Sequence, residues 1–160
     1  MKRWGVVLLV LSGCDREPAP PPSAGARLER AAVAAGLVAD PALASIAGIW
    51  ARDTDRMCIV PAGTETRVGV VIDYGEGQTC AASGAVERRG GTLKMRLGEC
   101  RFDARFDGER IAFPAELPLA CAAVCTGRAT LAAVEVERLS GSVSEAATLR
   151  SPRGRSLCTS

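Results

Sequence analysis

The chain has 160 residues, 20 of them basic and 18 acidic, and contains no histidine. That absence excludes a Ser-His-Asp triad, a Cys-His nucleophile pair and any imidazole metal ligand. A formal charge of +2 gives no electrostatic footprint for nucleic acid, and the length suits one domain with a modest core.

Met1, Lys2 and Arg3 precede an apolar run over 4–11, and Ser12, Gly13 and Cys14 follow it. This is the pattern of an export signal, with a positive start, a short apolar stretch and small residues at the cleavage point, and the stretch is too short to span a bilayer. Leu11, Ser12, Gly13 and Cys14 resemble the lipobox of bacterial lipoproteins. The resemblance implies cleavage before Cys14, a diacylglyceryl group on its thiol and commonly a third acyl chain on the new amine. Two or three chains on one residue make a lasting anchor, where one chain binds only marginally. Without residues 1–13 the chain keeps 18 basic against 18 acidic residues, a formal charge of zero. Asp15 resembles an inner-membrane retention signal whose reading varies between bacterial groups, so inner and outer membrane both stay open.

Residues 14–26 form the lipidated cysteine and a tether. Prolines at 18, 20, 21 and 22 favour an extended chain, and at about 3.1 Å per residue the segment reaches roughly 30–40 Å from the lipid. Residues 27–47 read as a helical lead. The alanine-rich stretch 28–37 places Leu28, Ala31, Ala32 and Ala35 on one face, with Gly36 suited to its end. Asp40 and Pro41 suit the start of a second short turn.

From Ile49 the hydrophobic period changes to two. Leu93, Met95 and Leu97 alternate with polar residues, as do Cys100, Phe102, Ala104 and Phe106. Tight-turn signals separate the runs at 61–63, 75–77, 90–91 and at Asp107 with Gly108. Strands are predicted at 49–52, 56–60, 67–74, 79–87, 92–98, 100–106, 109–113 and 128–138. The expected fold is therefore mainly β, a small antiparallel barrel of about eight strands over 48–139. Ala82, Gly84, Ala104 and Ala133 are read as small inward positions. A tail over 140–160 carries a short helix at 143–149 capped by Ser142, then a basic stretch with Arg150, Arg153 and Arg155 before Cys158.

Beyond Cys14 there are six cysteines, Cys58, Cys80, Cys100, Cys121, Cys125 and Cys158, an even set that suits three disulfides in an exported chain. Many connectivities are open; the working set pairs Cys58 with Cys80, Cys100 with Cys121, and Cys125 with Cys158. Oxidised cysteines and missing histidine leave no expected metal site, cofactor or thiolate chemistry. The pairs Glu135 with Glu137 and Asp103 with Asp107 lie on strands among arginines and read as solvated faces. Gly90 and Gly91 precede a strand and make no phosphate cradle. A catalytic role is not expected of any residue.

Gly48, Ile49 and Trp50, followed by Met57 to Val60 and Cys80, resemble the opening of small calycin-type barrels, in particular bacterial metalloprotease inhibitors. Ser83 and Gly84 resemble part of the inhibitory loop of membrane-bound periplasmic lysozyme inhibitors. The resemblances imply binding without catalysis, with candidate contacts at Trp50, Ser83 and Gly84. The segment 114–127, apolar and marked by prolines and two cysteines, adds Pro118 and Leu119 as loop candidates or as a cap on the barrel end. The expectation is a lipid-anchored binding protein of the bacterial cell envelope, facing the periplasm and held to the membrane through Cys14. An inhibitor of a hydrolase leads that expectation. A hydrophobic-ligand carrier or a structural envelope lipoprotein is the alternative.

Overall fold

A computed structural model describes residues 23–37 and 40–159. Cys14 and most of the tether lie outside the described residues. The chain divides into two compact units, the first ending at Leu37 and the second beginning at Val38. In the first, helix α1 (Ala24–Ala34) starts at Ser23, whose hydroxyl accepts a hydrogen bond from the Ala26 amide. The helix thus begins and ends earlier than the alanine pattern predicted.

The second unit is a closed barrel of eight antiparallel strands in sequence order: β1 (Gly48–Arg52), β2 (Asp55–Ala62), β3 (Glu65–Asp73), β4 (Thr79–Arg89), β5 (Thr92–Leu97), β6 (Cys100–Phe106), β7 (Arg110–Ala112) and β8 (Glu135–Ser140). Pairing of β1 with β8 closes it, so no edge strand remains. Sequential antiparallel neighbours need only short turns, which the glycines and the Asp107 carboxylate supply. That carboxylate accepts from the Glu109 and Arg110 amides at 3.0 and 2.7 Å.

The interior is filled. Trp50, Met57, Ile59, Val68, Val70, Ile72, Leu93, Met95, Leu97, Phe102, Phe106 and Ile111 form one continuous buried cluster. Alternation puts them there: in β6 every second residue is buried and the others are wet.

A second, smaller core lies outside the barrel. Ile49, Cys58, Val60 and Val71 point outward from β1, β2 and β3, and the tail covers them with Ala146, Leu157 and Cys158. Within the tail, helix α2 (Val143–Ala146) is capped by Ser142, whose hydroxyl accepts from the Glu145 amide; it is shorter than the predicted 143–149.

Three disulfides tie the unit together, and two differ from the working set. Cys100 bonds Cys121 as expected, but Cys58 bonds Cys158 and Cys80 bonds Cys125. The reason is the pleat. Cys58 points outward from β2 into the layer under the tail, whereas Cys80 points inward from β4, so the two thiols lie on opposite faces of the sheet.

The eighth strand also moves, from the predicted 128–138 to Glu135–Ser140. Residues 126–134 are held in turns instead: the Thr126 amide donates to the Thr79 carbonyl at 2.8 Å and the Ala133 amide to the Pro114 carbonyl at 2.9 Å. Ala133, expected inward, is exposed with φ of 57°. Tyr74, expected at the end of β3, is exposed in the following turn.

Candidate functional site

The two barrel ends are built differently. At the end where β1 starts, the lead residues 40–47 fold against the barrel. The Asp40 carboxylate accepts from the Ala42 amide at 2.8 Å, which sets a turn over 41–43, and Ala44 and Ile46 pack on the core. Trp50 is fully buried here, its indole N–H donating to the Ile46 carbonyl at 3.0 Å and its ring meeting Phe106 edge-on at 5.8 Å. Two arginines seal this end. Arg138 lies over the Trp50 ring at 4.2 Å and Arg88 over Phe106 at 4.8 Å. Their guanidiniums donate to lead carbonyls, Arg88 to Pro41 and Ala44, Arg138 to Ser45 and Ala47. Burial pulls Arg138 down from its usual pKa, with Glu109 acting the other way. Trp50 is therefore a plug and offers no surface to a ligand.

The opposite end carries residues 113–134. Phe113 packs on Phe102 at 4.8 Å and its amide donates to the Val134 carbonyl at 2.8 Å, prolonging the ladder of β7 and β8. The chain then leaves the barrel at Pro118, extended at φ −54° and ψ 145°, and enters a 3-10 turn over Leu119–Val124. Cys121, within the turn, bonds Cys100 on β6, and Cys125, just after it, bonds Cys80 on β4, so the middle and the end of the turn are covalently fixed. The Thr126 hydroxyl adds a bond to the Gly77 carbonyl at 2.7 Å.

On this fixed turn Leu119 is 94% exposed. A shallow surface cavity of about 180 Å³ lies beside it, walled by Leu117, Pro118 and Leu131. Leu28, Leu37, Leu43 and Leu139 are also exposed among the described residues, but Leu119 is the most exposed of them and stands on a disulfide-held turn. Such a side chain contributes about 1.5–3 kcal/mol when a partner buries it. The turn is helical and does not offer the extended backbone that a cleft protease reads as substrate.

Ser83 and Gly84 lie elsewhere, on β4. Ser83 faces out into solvent and Gly84 faces in. A Cβ added to Gly84 would overlap the Arg96 carbonyl oxygen, so glycine is what lets β4 and β5 approach where the barrel turns its corner. Trp50, the Ser83 and Gly84 pair, and the Pro118 and Leu119 turn thus occupy three separate places and form no common site.

The carboxylates at 135 and 137 engage arginines, Glu135 with Arg52 at 2.8 Å and Glu137 with Arg110 at 3.4 Å. Sequence reasoning missed the sealing role of Arg88 and Arg138, because an arginine at the end of a strand reads as solvated. The signal that could have exposed it is their inward phase, shared with Val86 and Val136. Among the described residues no helix is long and apolar enough to cross a membrane. No protein-family model, curated protein or solved structure matches the chain.

Proposed function

We propose that the chain is a lipid-anchored binding protein of the cell envelope and acts as a non-enzymatic inhibitor of a hydrolase, a protease or a lysozyme. The observation that carries the reading is Leu119, exposed on a turn that two disulfides hold to β4 and β6. A preorganised turn loses little conformational entropy on docking, so most of the contact energy of its apolar tip goes into affinity. The lipobox resemblance at Cys14 and the proline-rich tether support a domain held near the membrane yet free to reach a partner.

The carrier alternative needs an empty interior, and this barrel is packed with side chains. The test titrates the full chain, oxidised and kept in detergent, against a panel of lysozymes and secreted proteases while residual activity is followed. Stoichiometric loss of one activity is expected, with Leu119→Asp weakening it about tenfold or more while folding unchanged. Indifference across the panel would sink the inhibitor reading. In the producing cell Cys14→Ser is expected to move the protein from the membrane to the soluble fraction; retention at the membrane would refute the anchor.

A further inference from the structure

The outer face of β4 is built from short side chains, Thr79, Ala81, Ser83 and Ala85, while Cys80, Ala82 and Val86 turn inward. Two surface cavities of about 480 Å³ each follow one another along this face. The first lies between the 123–126 turn and the tail loop that carries Arg153 and Arg155. The second continues over Ser83, Gly84 and Ala85, with Arg67 and Arg96 at its walls. Set on successive outward positions of β4, from Thr79 and Ala81 to Ser83 and Ala85, the two recesses line up as a trench of six residue steps, about 20 Å at the rise of a strand.

Its walls are fixed. The tail is bonded to β2 through Cys58 and Cys158, and the 123–126 turn to β4 through Cys80 and Cys125. The charge along them is one-sided: four guanidiniums stand against the single carboxylate of Glu65, which meets Arg96 at 3.4 Å with both side chains more than half exposed. Arg67 donates to the Thr159 carbonyl. Arg153 and Arg155 form no ion pair among the described residues.

We propose that this trench docks an extended acidic peptide segment of a partner protein. The recess favours a chain over a planar lipid surface, because the short floor side chains sit below the arginines and only a narrow ligand reaches both. The exposed Ser83 hydroxyl on the floor can bond a peptide backbone, while the Thr79 and Thr126 hydroxyls bond each other and the Gly77 carbonyl, and the guanidiniums suit carboxylates. The trench is separate from Leu119, so it stands or falls independently of the inhibitor reading.

The test is fluorescence anisotropy with the full oxidised chain carrying Cys14→Ser, without detergent, so that vesicles stay intact and no acyl anchor inserts into them. The probe is a labelled seven-residue peptide bearing glutamate at alternate positions, with its glutamine counterpart and anionic phospholipid vesicles as competitors. Saturable binding of the acidic peptide is expected. The double substitution R153E and R155E should weaken it about tenfold or more, equivalent to about 1.4 kcal/mol. A81W, which fills the floor without changing charge, should weaken it as strongly. R105E and R110E make the same charge change on the outer faces of β6 and β7, away from the trench walls, and should alter affinity less than about twofold. Equal loss in both charge variants, full binding by A81W, equal affinity for the glutamine peptide, or binding to vesicles alone would each overturn the trench.

Discussion

Arg138 and Trp50 are register partners across the ladder that closes the barrel, and the guanidinium of one lies 4.2 Å above the ring of the other. The same guanidinium donates to the Ser45, Ala47 and Gly108 carbonyls, so one side chain joins β8, the lead and the turn before β7. Replacing it with methionine keeps apolar cover over the indole but leaves those carbonyls without their donor. Arg138→Met is expected to lower stability by about 2–3 kcal/mol and Arg138→Lys by about 1 kcal/mol, since an ammonium cannot bond three carbonyls while stacking flat. Chemical denaturation followed by Trp50 fluorescence checks both; a change below about 0.5 kcal/mol for methionine would show that the seal is decorative.

Of two neighbouring residues on β4, only one should respond strongly to alanine. At Gly84 the new Cβ meets the Arg96 backbone, which cannot yield without parting β4 from β5. Gly84→Ala is expected to cost about 3 kcal/mol or more, or to prevent folding. Ser83 is exposed on the outer face of β4; Ser83→Ala should change stability by less than about 0.5 kcal/mol. Thermal unfolding of the two variants side by side decides whether this pair serves the barrel corner.

How far the fold could be read depended on whether a strand had one buried face or two. β5 and β6 have one, so Leu93, Met95 and Leu97, and Cys100 to Phe106, alternate cleanly and were placed to within a residue. Cys58, Ile59 and Val60, and Val70, Val71 and Ile72, break the alternation because the tail buries their outer faces as well. The disulfide partners were not legible, because pairing depends on which face of the pleat each thiol leaves from, and cysteine spacing does not carry that. The stretch 128–134 resembles a strand in its hydrophobic pattern but is bent by the Ala133 bond to the Pro114 carbonyl, after Thr126 just before it is tied to the Thr79 carbonyl. Of the candidate contacts, Leu119 could be placed in an apolar loop from the sequence. Its exposure, beside a half-buried Leu117 and a buried Leu131, depends on the direction in which the stapled turn sends each side chain, which the sequence pattern does not carry.

Asp55, at the start of β2, gives a pH dependence of definite sign. Burial raises its carboxyl above the ordinary aspartate value, with Asp53 adding to the shift, while a bond from the Asp73 backbone and the charges of Arg56 and Arg52 oppose it. Between the ordinary value and the raised one the folded chain binds more proton than the unfolded chain, so this residue's contribution to stability falls as pH rises. Asp55→Asn holds the site neutral at every pH. The Tm of the variant minus that of the parent is therefore expected to grow as pH rises through the window just above the ordinary aspartate value, then to level off. A difference that shrinks with rising pH across that window would show that the hydrogen bond and the arginines outweigh burial.

The bond between Cys58 and Cys158 closes the longest loop in the molecule, 100 residues, and fastens the tail over β1, β2 and β3. Chain-entropy arguments give a loop of that length about 4–5 kcal/mol of stabilisation. Leu157 adds to it by lying directly on Gly69, where any larger residue in β3 would push the tail away. Replacing both cysteines with alanine removes the cross-link without stranding a buried thiol. Apart from the bridge, the tail holds to the barrel through the burial of Ala146 and Leu157 and through the Arg67 bond to the Thr159 carbonyl. Backbone bonds such as the Leu157 amide to the Leu149 carbonyl at 3.1 Å and the Ser151 amide to the Arg155 carbonyl at 2.8 Å lie within the tail itself. The barrel itself stays closed by β1 and β8 and keeps two disulfides at its far end. The expected result is uneven loss: amide exchange over 142–158 rises by an order of magnitude or more while β5 and β6 keep their protection. Uniform exchange throughout would mean that the tail and the barrel unfold as one cooperative unit. Because the tail also forms one wall of the β4 trench, the same variant should lose affinity for the acidic peptide while retaining whatever binding Leu119 supports.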